Sequence, residues 1–275
     1  MSCSVTFTVT LKWIATLYIC PFTSYYDISL IPGFLIERTS GNATYKAQPK
    51  IIGGKPIDIK RRAFMLSLHN SSGFLCGASI LSRTWGITAL HCFKSRSQFY
   101  VRAGSNKTNR DGAVHRITDI HVYNGTYASW VPGTGEEYDI ALFEVRPPFQ
   151  FSRTVRPIRL PKSTNGIQRE LLVCGWGETE KVTKTLMGVY VQYVPFETCV
   201  MALDYAILVK DDYHLCYGSQ GRDACYGDSG GALASKKTIY GIVSFGHGCG
   251  QVPGVYVKIS YYQKWIEDVM KLRFA

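Results

Sequence analysis

A serine set among glycines ends the stretch Asp223-Ala224-Cys225-Tyr226-Gly227-Asp228-Ser229-Gly230-Gly231. Glycines there suit a tight turn, admit the close approach of another backbone, and let N–H groups converge on one spot. Such a nest can stabilise an oxyanion, by about 3–4 kcal/mol per donor in studied cases. Taken alone, the stretch reads equally well as an ordinary Gly-rich turn. Two further segments shift that balance. Thr88-Ala89-Leu90-His91-Cys92 places a histidine at the end of an apolar strand, and Tyr138-Asp139-Ile140-Ala141-Leu142 places an acid at the start of another. A hydroxyl nucleophile needs a base, and the base needs a carboxylate to orient it. A lone histidine on a strand is usually a satisfied core or surface group, and a lone aspartate before one is usually a turn residue. All three in the order His91, Asp139, Ser229, each within its own motif, make coincidence a poor explanation.

These residues need a rigid frame, and the composition supplies one. The chain has 275 residues, 46% of them apolar and 19% charged, which is globular and excludes disorder and collagen. Short apolar runs recur after residue 50: Phe64–Leu68, Gly86–Leu90, Ile140–Val145, Leu171–Val173 and Tyr240–Phe245, with Gly, Pro, Asn and Ser between them. That rhythm predicts an all-β barrel or sandwich. Tyr262, Trp265, Ile266, Val269 and Met270 fall instead on one face of a closing amphipathic helix.

Residues 1–24 contain the apolar run Trp13–Phe22 after Lys12. The run is too short to span a bilayer and matches a signal-peptide core. A secretion signal is the expectation, with an unusual or misassigned N-terminus as the other reading. Ser24 to Lys50 then reads as a pro-segment or linker. Nine cysteines and four sequons, at Asn42, Asn70, Asn106 and Asn124, favour an oxidising secretory route.

Together these motifs resemble the trypsin-like serine proteases of the chymotrypsin family over essentially residues 51–275. The resemblance rests on Ile51-Ile52-Gly53-Gly54, Thr88–Cys92, Asp139–Leu142, Gly175-Trp176-Gly177, Asp223–Gly231 and Pro253-Gly254-Val255-Tyr256. It implies two six-stranded antiparallel β-barrels, roughly 51–155 and 156–275, with the active site between them and a C-terminal α-helix. It also implies the triad roles of that family: Ser229 as nucleophile, His91 as base and then acid, Asp139 as the group that holds the histidine tautomer. The N–H groups of Gly227 and Ser229 would form the oxyanion hole, and Ser244-Phe245-Gly246 would pair with the substrate backbone. The family register pairs Cys76 with Cys92, Cys199 with Cys216 and Cys225 with Cys249, where sequence alone allows 15 pairings of these six. Cys174 is left as a buried free thiol. Cys3 and Cys20 are expected to leave with the signal; a retained Cys20 could pair with Cys174 or another chain.

In the resemblance Asp223 sits at the base of the primary specificity pocket, with Gly246 and Gly254 as its walls. A carboxylate enclosed there needs a cationic partner, which implies cleavage after Arg or Lys. Ala224 stands where relatives often carry Ser. A compact Lys ammonium would miss that hydroxyl, whereas an Arg guanidinium reaches the carboxylate with two parallel bonds, so Arg is expected to be preferred. Pro49-Lys50-Ile51-Ile52 resembles an activation site. Cutting after Lys50 would free an ammonium on Ile51 to pair with Asp228.

Ala232, Leu90 and Phe245 depart from the usual Pro, Ala and Trp of the family, and none removes a catalytic group. The loop Ser105–Arg110 is basic and lacks the carboxylates a calcium site needs. No metal and no cofactor is expected. Lys+Arg is 31 against 20 for Asp+Glu, a net charge of +11 spread along the chain. A solvated surface is the default for such charge, with acidic glycans as a further ligand class, and no nucleic-acid motif is present. The expected protein is a secreted, monomeric endopeptidase made as a zymogen, acting on peptides with Arg or Lys at the cut bond and open to protein inhibitors. Two other readings are a non-catalytic homologue that acts as a secreted binding protein and a membrane-anchored form. The intact triad disfavours the first.

Overall fold

The structure is a computed structural model that describes residues 51–93, 97–123, 138–162, 166–177, 185–202 and 208–271. The expected signal and pro-segment, Lys50, Cys3, Cys20 and the sequons Asn42 and Asn124 lie outside the described residues.

Alternating and near-continuous apolar runs form thirteen strands among the described residues. The first barrel is β2 (Met65–Asn70), β3 (Gly73–Ile80), β4 (Trp85–Thr88), β5 (Tyr100–Ala103), β6 (Ala113–Val122) and β7 (Ala141–Arg146), closed in the order β2-β3-β4-β7-β6-β5. The second is β8 (Glu170–Gly175), β9 (Met187–Val194), β10 (His214–Gly218), β11 (Ala232–Ala234), β12 (Ile239–Phe245) and β13 (Gly254–Lys258), closed by the pairing of β8 with β9. All strand pairings are antiparallel, so two closed six-stranded antiparallel barrels are present, as the resemblance implies. The two-residue strand β1 (Lys55–Pro56) crosses over to pair with β9.

Buried side chains fill each barrel, and one apolar cluster runs between them through Leu172, Ile242 and Val257 of the second. Met65, Leu66, Leu68, Ile80, Trp85 and Phe143 pack the first, and Leu171, Val173, Val191, Leu233 and Tyr256 pack the second. The strand boundaries differ by one or two residues from the apolar runs. Phe64 and Ile140 precede their strands, because each is buried without a ladder partner. Helix α1 (Phe196–Val200) carries Cys199, bonded to Cys216 of β10. Helix α2 (Ile259–Lys271) buries Tyr262 and Ile266, with Trp265, Val269 and Met270 half-buried beside them. Tyr123, just past β6, meets the rings of Tyr262 and Trp265 edge-on at 5.0 and 5.6 Å, so the C-terminal helix is stitched to the first barrel.

Asn70 and Asn106 occupy structural positions. Asn70 is buried in β2 and its Oδ1 accepts from Ser72 N at 2.8 Å, while Asn106 Oδ1 accepts from Ile59 N at 2.6 Å. The basic loop after Gly104 turns the carbonyls of Thr108 and Asp111 onto the Arg102 guanidinium, at 3.1 and 2.7 Å. A side-chain cation thus sits among those carbonyls.

Gly86 shows how tightly the first barrel is packed. A Cβ there would run into the Phe143 ring on the neighbouring strand. Gly86→Ala is therefore expected to cost about 1–3 kcal/mol through overpacking. Urea unfolding should show a lowered midpoint with an unchanged slope.

Candidate active site

The site begins with strand pairing. β4 and β7 are neighbours, with Thr88 opposite Ala141, so the residues after β4 and before β7 emerge at the same end of the barrel. His91 was expected at the end of its strand. It lies instead on a 3-10 turn, Leu90–Phe93, just beyond β4. The Cys76–Cys92 disulfide ties that turn to β3. Asp139 stands two residues before β7, and 3% of it is exposed.

Three donors meet the buried Asp139 carboxylate. Its Oδ1 accepts from the His91 backbone N–H at 2.9 Å, and its Oδ2 lies 2.8 Å from His91 Nδ1 and 2.5 Å from Ser244 Oγ. Burial pushes the acid's pKa upward. The charge on His91, its ring hydrogen bond and the Ser244 hydroxyl outweigh that, and hold Asp139 well below the usual carboxylate range. An ionised carboxylate only accepts, so Nδ1 carries the proton and Nε2 is left with its lone pair. The donors come from both halves, His91 from the first barrel and Ser244 from β12 of the second.

Ser229 lies in the turn between β10 and β11, and that turn is fastened to the first barrel. Its carbonyl accepts from Gly77 N of β3 at 2.8 Å, and the Gly77 carbonyl accepts from Thr88 Oγ1 at 2.8 Å. Gly230 (φ 74°) has no room for a side chain, because a Cβ would strike Thr88 Oγ1 and lie 3.3 Å from Ala89 N. The half-buried Ser229 is thus held against the strand end that carries His91. Within the turn, the N–H groups of Asp228, Gly230 and Gly231 donate to Cys225, Val243 and Asp228 carbonyls. Among the described residues those of Gly227 and Ser229 donate to no protein acceptor.

A second carboxylate lines the same region. Asp223 is 2% exposed. Its Oδ1 accepts from Ala224 N at 2.7 Å and Tyr256 Oη at 3.5 Å, and its Oδ2 from Gly250 N at 3.2 Å. Burial raises it to about 7, against the pull of the Gly250, Ala224 and Tyr256 hydrogen bonds. A Cβ on Gly254 would stand 2.7 Å from Asp223 Oδ1, so only glycine fits beside that oxygen. Gly246 follows β12 and is exposed. Cys225, two residues after Asp223, is bonded to Cys249. Asp228 is fully buried and accepts from Gly177 N at 2.8 Å and Cys225 N at 3.0 Å. Ile51 is 2% exposed, packed in the second barrel's cluster, and Ile52 N donates to the Asp223 carbonyl at 2.8 Å.

Sequence alone assigns no role to Tyr256, Gly177 or His214. The first two stand within the motifs Pro253–Tyr256 and Gly175–Gly177, but their partners are aspartates remote in sequence. His214 had no local signal at all. Cys174 is a buried free thiol, as the reading expects, raised to about 12 by burial despite the Arg62 guanidinium beside it.

Ser244 yields a test of this electrostatic balance. Ser244→Ala removes a hydrogen bond to a buried charge, worth about 1–3 kcal/mol. Asp139 has a folded-state pKa below its unfolded 3.8. Its contribution is full above that value and is lost as pH falls from it through the lower folded-state value. The stability difference between wild type and variant is thus expected to be full at neutral pH and to shrink below about pH 4. Equilibrium unfolding across pH measures it.

The Trypsin family model matches residues 51–266. Trypsin epsilon of Drosophila erecta is 32% identical over 86% of this chain and 91% of its own length. Trypsin theta of Drosophila melanogaster is 32% identical over 82% of this chain and 88% of its own, and trypsin zeta of the same fly is 33% identical over 80% and 86%. With the fold, the three disulfides and these matches in agreement, the chain belongs to the trypsin family of serine endopeptidases.

Proposed function

We propose that the protein is a secreted endopeptidase that cuts after Arg or Lys through Ser229, His91 and Asp139, and that it is made as a zymogen. The observation that carries this reading is the buried Asp139 carboxylate 2.8 Å from His91 Nδ1, beside the turn that fastens Ser229 to Gly77. Asp139 holds the proton on Nδ1, so Nε2 serves as the base that takes the Ser229 proton. The hydroxyl oxygen attacks the scissile carbonyl. The N–H groups of Gly227 and Ser229 receive the developing oxyanion. His91 then protonates the leaving amine, and water, activated by the same nitrogen, releases the acyl group from Ser229. Ser244-Phe245-Gly246 aligns the substrate backbone.

Activation follows from two buried groups. Cleavage after Lys50 would create an ammonium on Ile51, whose side chain is already seated in the second barrel. Asp228, fully buried next to the nucleophile, is its proposed partner. The new ion pair would order the turn that presents the Gly227 and Ser229 N–H groups. Fluorophosphonate labelling of Ser229 should be weak in the intact chain, rise after cutting at Lys50, and stay weak in Lys50→Gln. Equal labelling of the uncut variant removes the zymogen step, and no labelling after cleavage removes the hydrolase itself.

Asp223 sets the proposed specificity and a pH signature. A pocket carboxylate raised to about 7 is partly protonated in the empty enzyme near neutrality. Between the ordinary carboxylate value of 3.8 and about 7, the unfolded chain releases a proton that the folded one keeps, so the empty pocket loses stability as pH rises through that window. A bound guanidinium stabilises the ionised form. KM for Arg peptides is expected to fall as pH rises through about 7. Asp223→Ser should abolish that dependence and lower kcat/KM on Arg peptides by about two orders of magnitude. Matched Lys peptides should turn over more slowly than Arg peptides in the wild type. Steady-state kinetics from pH 6 to 8 checks all three.

A further inference from the structure

Far from the cleft, the first barrel brings together one histidine and two carboxylates. Asp119 and His121 lie on β6, and Glu144 lies on β7. One donor atom from each lies within 4.8 Å of the other two. His121 Nε2 is 3.2 Å from Glu144 Oε1. We propose that these three side chains form a divalent transition-metal site, with Zn²⁺ as the fitting ion.

The backbone builds the cluster. Ile117 pairs with Val145, but the next pair is Asp119 with Glu144, so Thr118 is an extra residue in β6. Without this bulge, regular pairing would set Asp119 against Phe143, a fully buried core residue. The bulge re-aims Asp119 to the face of Glu144, and His121 follows two residues later on that same face. Two carboxylates directly opposite across a ladder repel, which a shared cation reverses. The His121 ring is also held in place, 5.0 Å from the buried Trp85, which pairs with Glu144 from the other side.

The chemistry fits zinc better than calcium or magnesium. Imidazole nitrogen with carboxylate oxygens is a borderline donor set, whereas hard cations take oxygen ligands alone. Tetrahedral zinc holds nitrogen and oxygen donors at about 2.0–2.1 Å, which sets neighbouring donors about 3.3 Å apart. The His121–Glu144 separation is already of that size. A change of the Asp119 rotamer closes the third edge, and water takes the fourth position. Glu144 pairs with Trp85 at the start of β4, whereas His91 follows the opposite end of that strand, so the site is separate from the catalytic cleft. It would clamp β6 to β7, the two strands whose connection carries Asp139.

The test is zinc titration calorimetry on the full-length chain carrying Ser229→Ala, which prevents self-digestion and leaves the cluster intact. One zinc per chain is expected, together with a rise in unfolding temperature that EDTA reverses. His121→Ala, Asp119→Asn and Glu144→Gln should each weaken binding at least about tenfold. Asp119→Asn is isosteric, so that variant keeps the test valid should the loss of His121 disturb Trp85. The absence of zinc binding up to millimolar concentration overturns the proposal. So does unchanged affinity in the three variants, which would leave His121 and Glu144 as an ion pair alone. Binding is read without catalysis, so neither outcome bears on the proposed protease activity.

Discussion

A single buried negative charge constrains the whole arrangement. Asp139 is removed from water, and an ion in a closed interior must be met by donors. Its donors come from two separate barrels. His91 supplies a backbone N–H and a ring N–H from the first, and Ser244 supplies a hydroxyl from the second. One apolar cluster runs from Leu66 and Phe143 of the first barrel to Leu172 and Ile242 of the second, but apolar contact is non-directional and would tolerate some sliding. The carboxylate cannot, because a shift of about an ångström takes a hydrogen bond out of range. The Gly77–Ser229 backbone bond crosses the same seam close by. The relative placement of His91, Asp139 and Ser229 is therefore fixed by polar matching across the seam between the barrels.

Two other buried aspartates extend this logic. Asp228 takes N–H groups from Gly177 and Cys225, and so fixes the turn that presents Ser229. Asp223 has comparable neighbours, two backbone N–H groups and the Tyr256 hydroxyl, yet burial still raises it to about 7. The difference from Asp139 is a group able to take up positive charge. Asp139 has His91 beside it, and among the described residues Asp223 is in no ion pair. An enclosed carboxylate with satisfied hydrogen bonds but an elevated pKa is complementary to a positive ligand. In the proposed reading the substrate side chain is that ligand, and binding selectivity comes from completing an electrostatic set that the fold leaves one member short.

Much of this was legible in the sequence, because motif residues lie in sharp local contexts. Ser229 sits among glycines that the structure shows to be required by close approach, as Gly230 does against Thr88. The strands were readable from their apolar runs, and α2 from its spacing, since both depend on nearest neighbours along the chain. His91 was misplaced by a few residues because a 3-10 turn after a strand leaves no apolar periodicity to read. What stayed hidden depends on register between distant strands. Tyr256 reaches Asp223 across 33 residues, and the Asp119–Glu144 pairing exists only because one residue bulges. No local pattern encodes a bulge with certainty, so neither contact could be read from spacing.

His214 shows how the site assigns charge among competing groups. It lies buried on β10, close enough for the Asp139 charge to favour its protonation, and its ring meets the Phe245 ring edge-on at 5.6 Å. Two histidines thus lie near one carboxylate, and a second cation would divide the interaction that orients His91. Burial prevents this. It pushes His214 down to about 4 despite the attraction of Asp139, and the nearby Lys210 adds to the effect. The Lys210 backbone N–H also donates to Nδ1 at 3.1 Å, which occupies that lone pair and puts the proton on Nε2. At neutral pH His214 is therefore an uncharged packing group, and in the proposed reading the half-buried His91 is the imidazole that changes charge against Asp139. The same low polarity that makes the buried carboxylate expensive decides which of the two rings answers it.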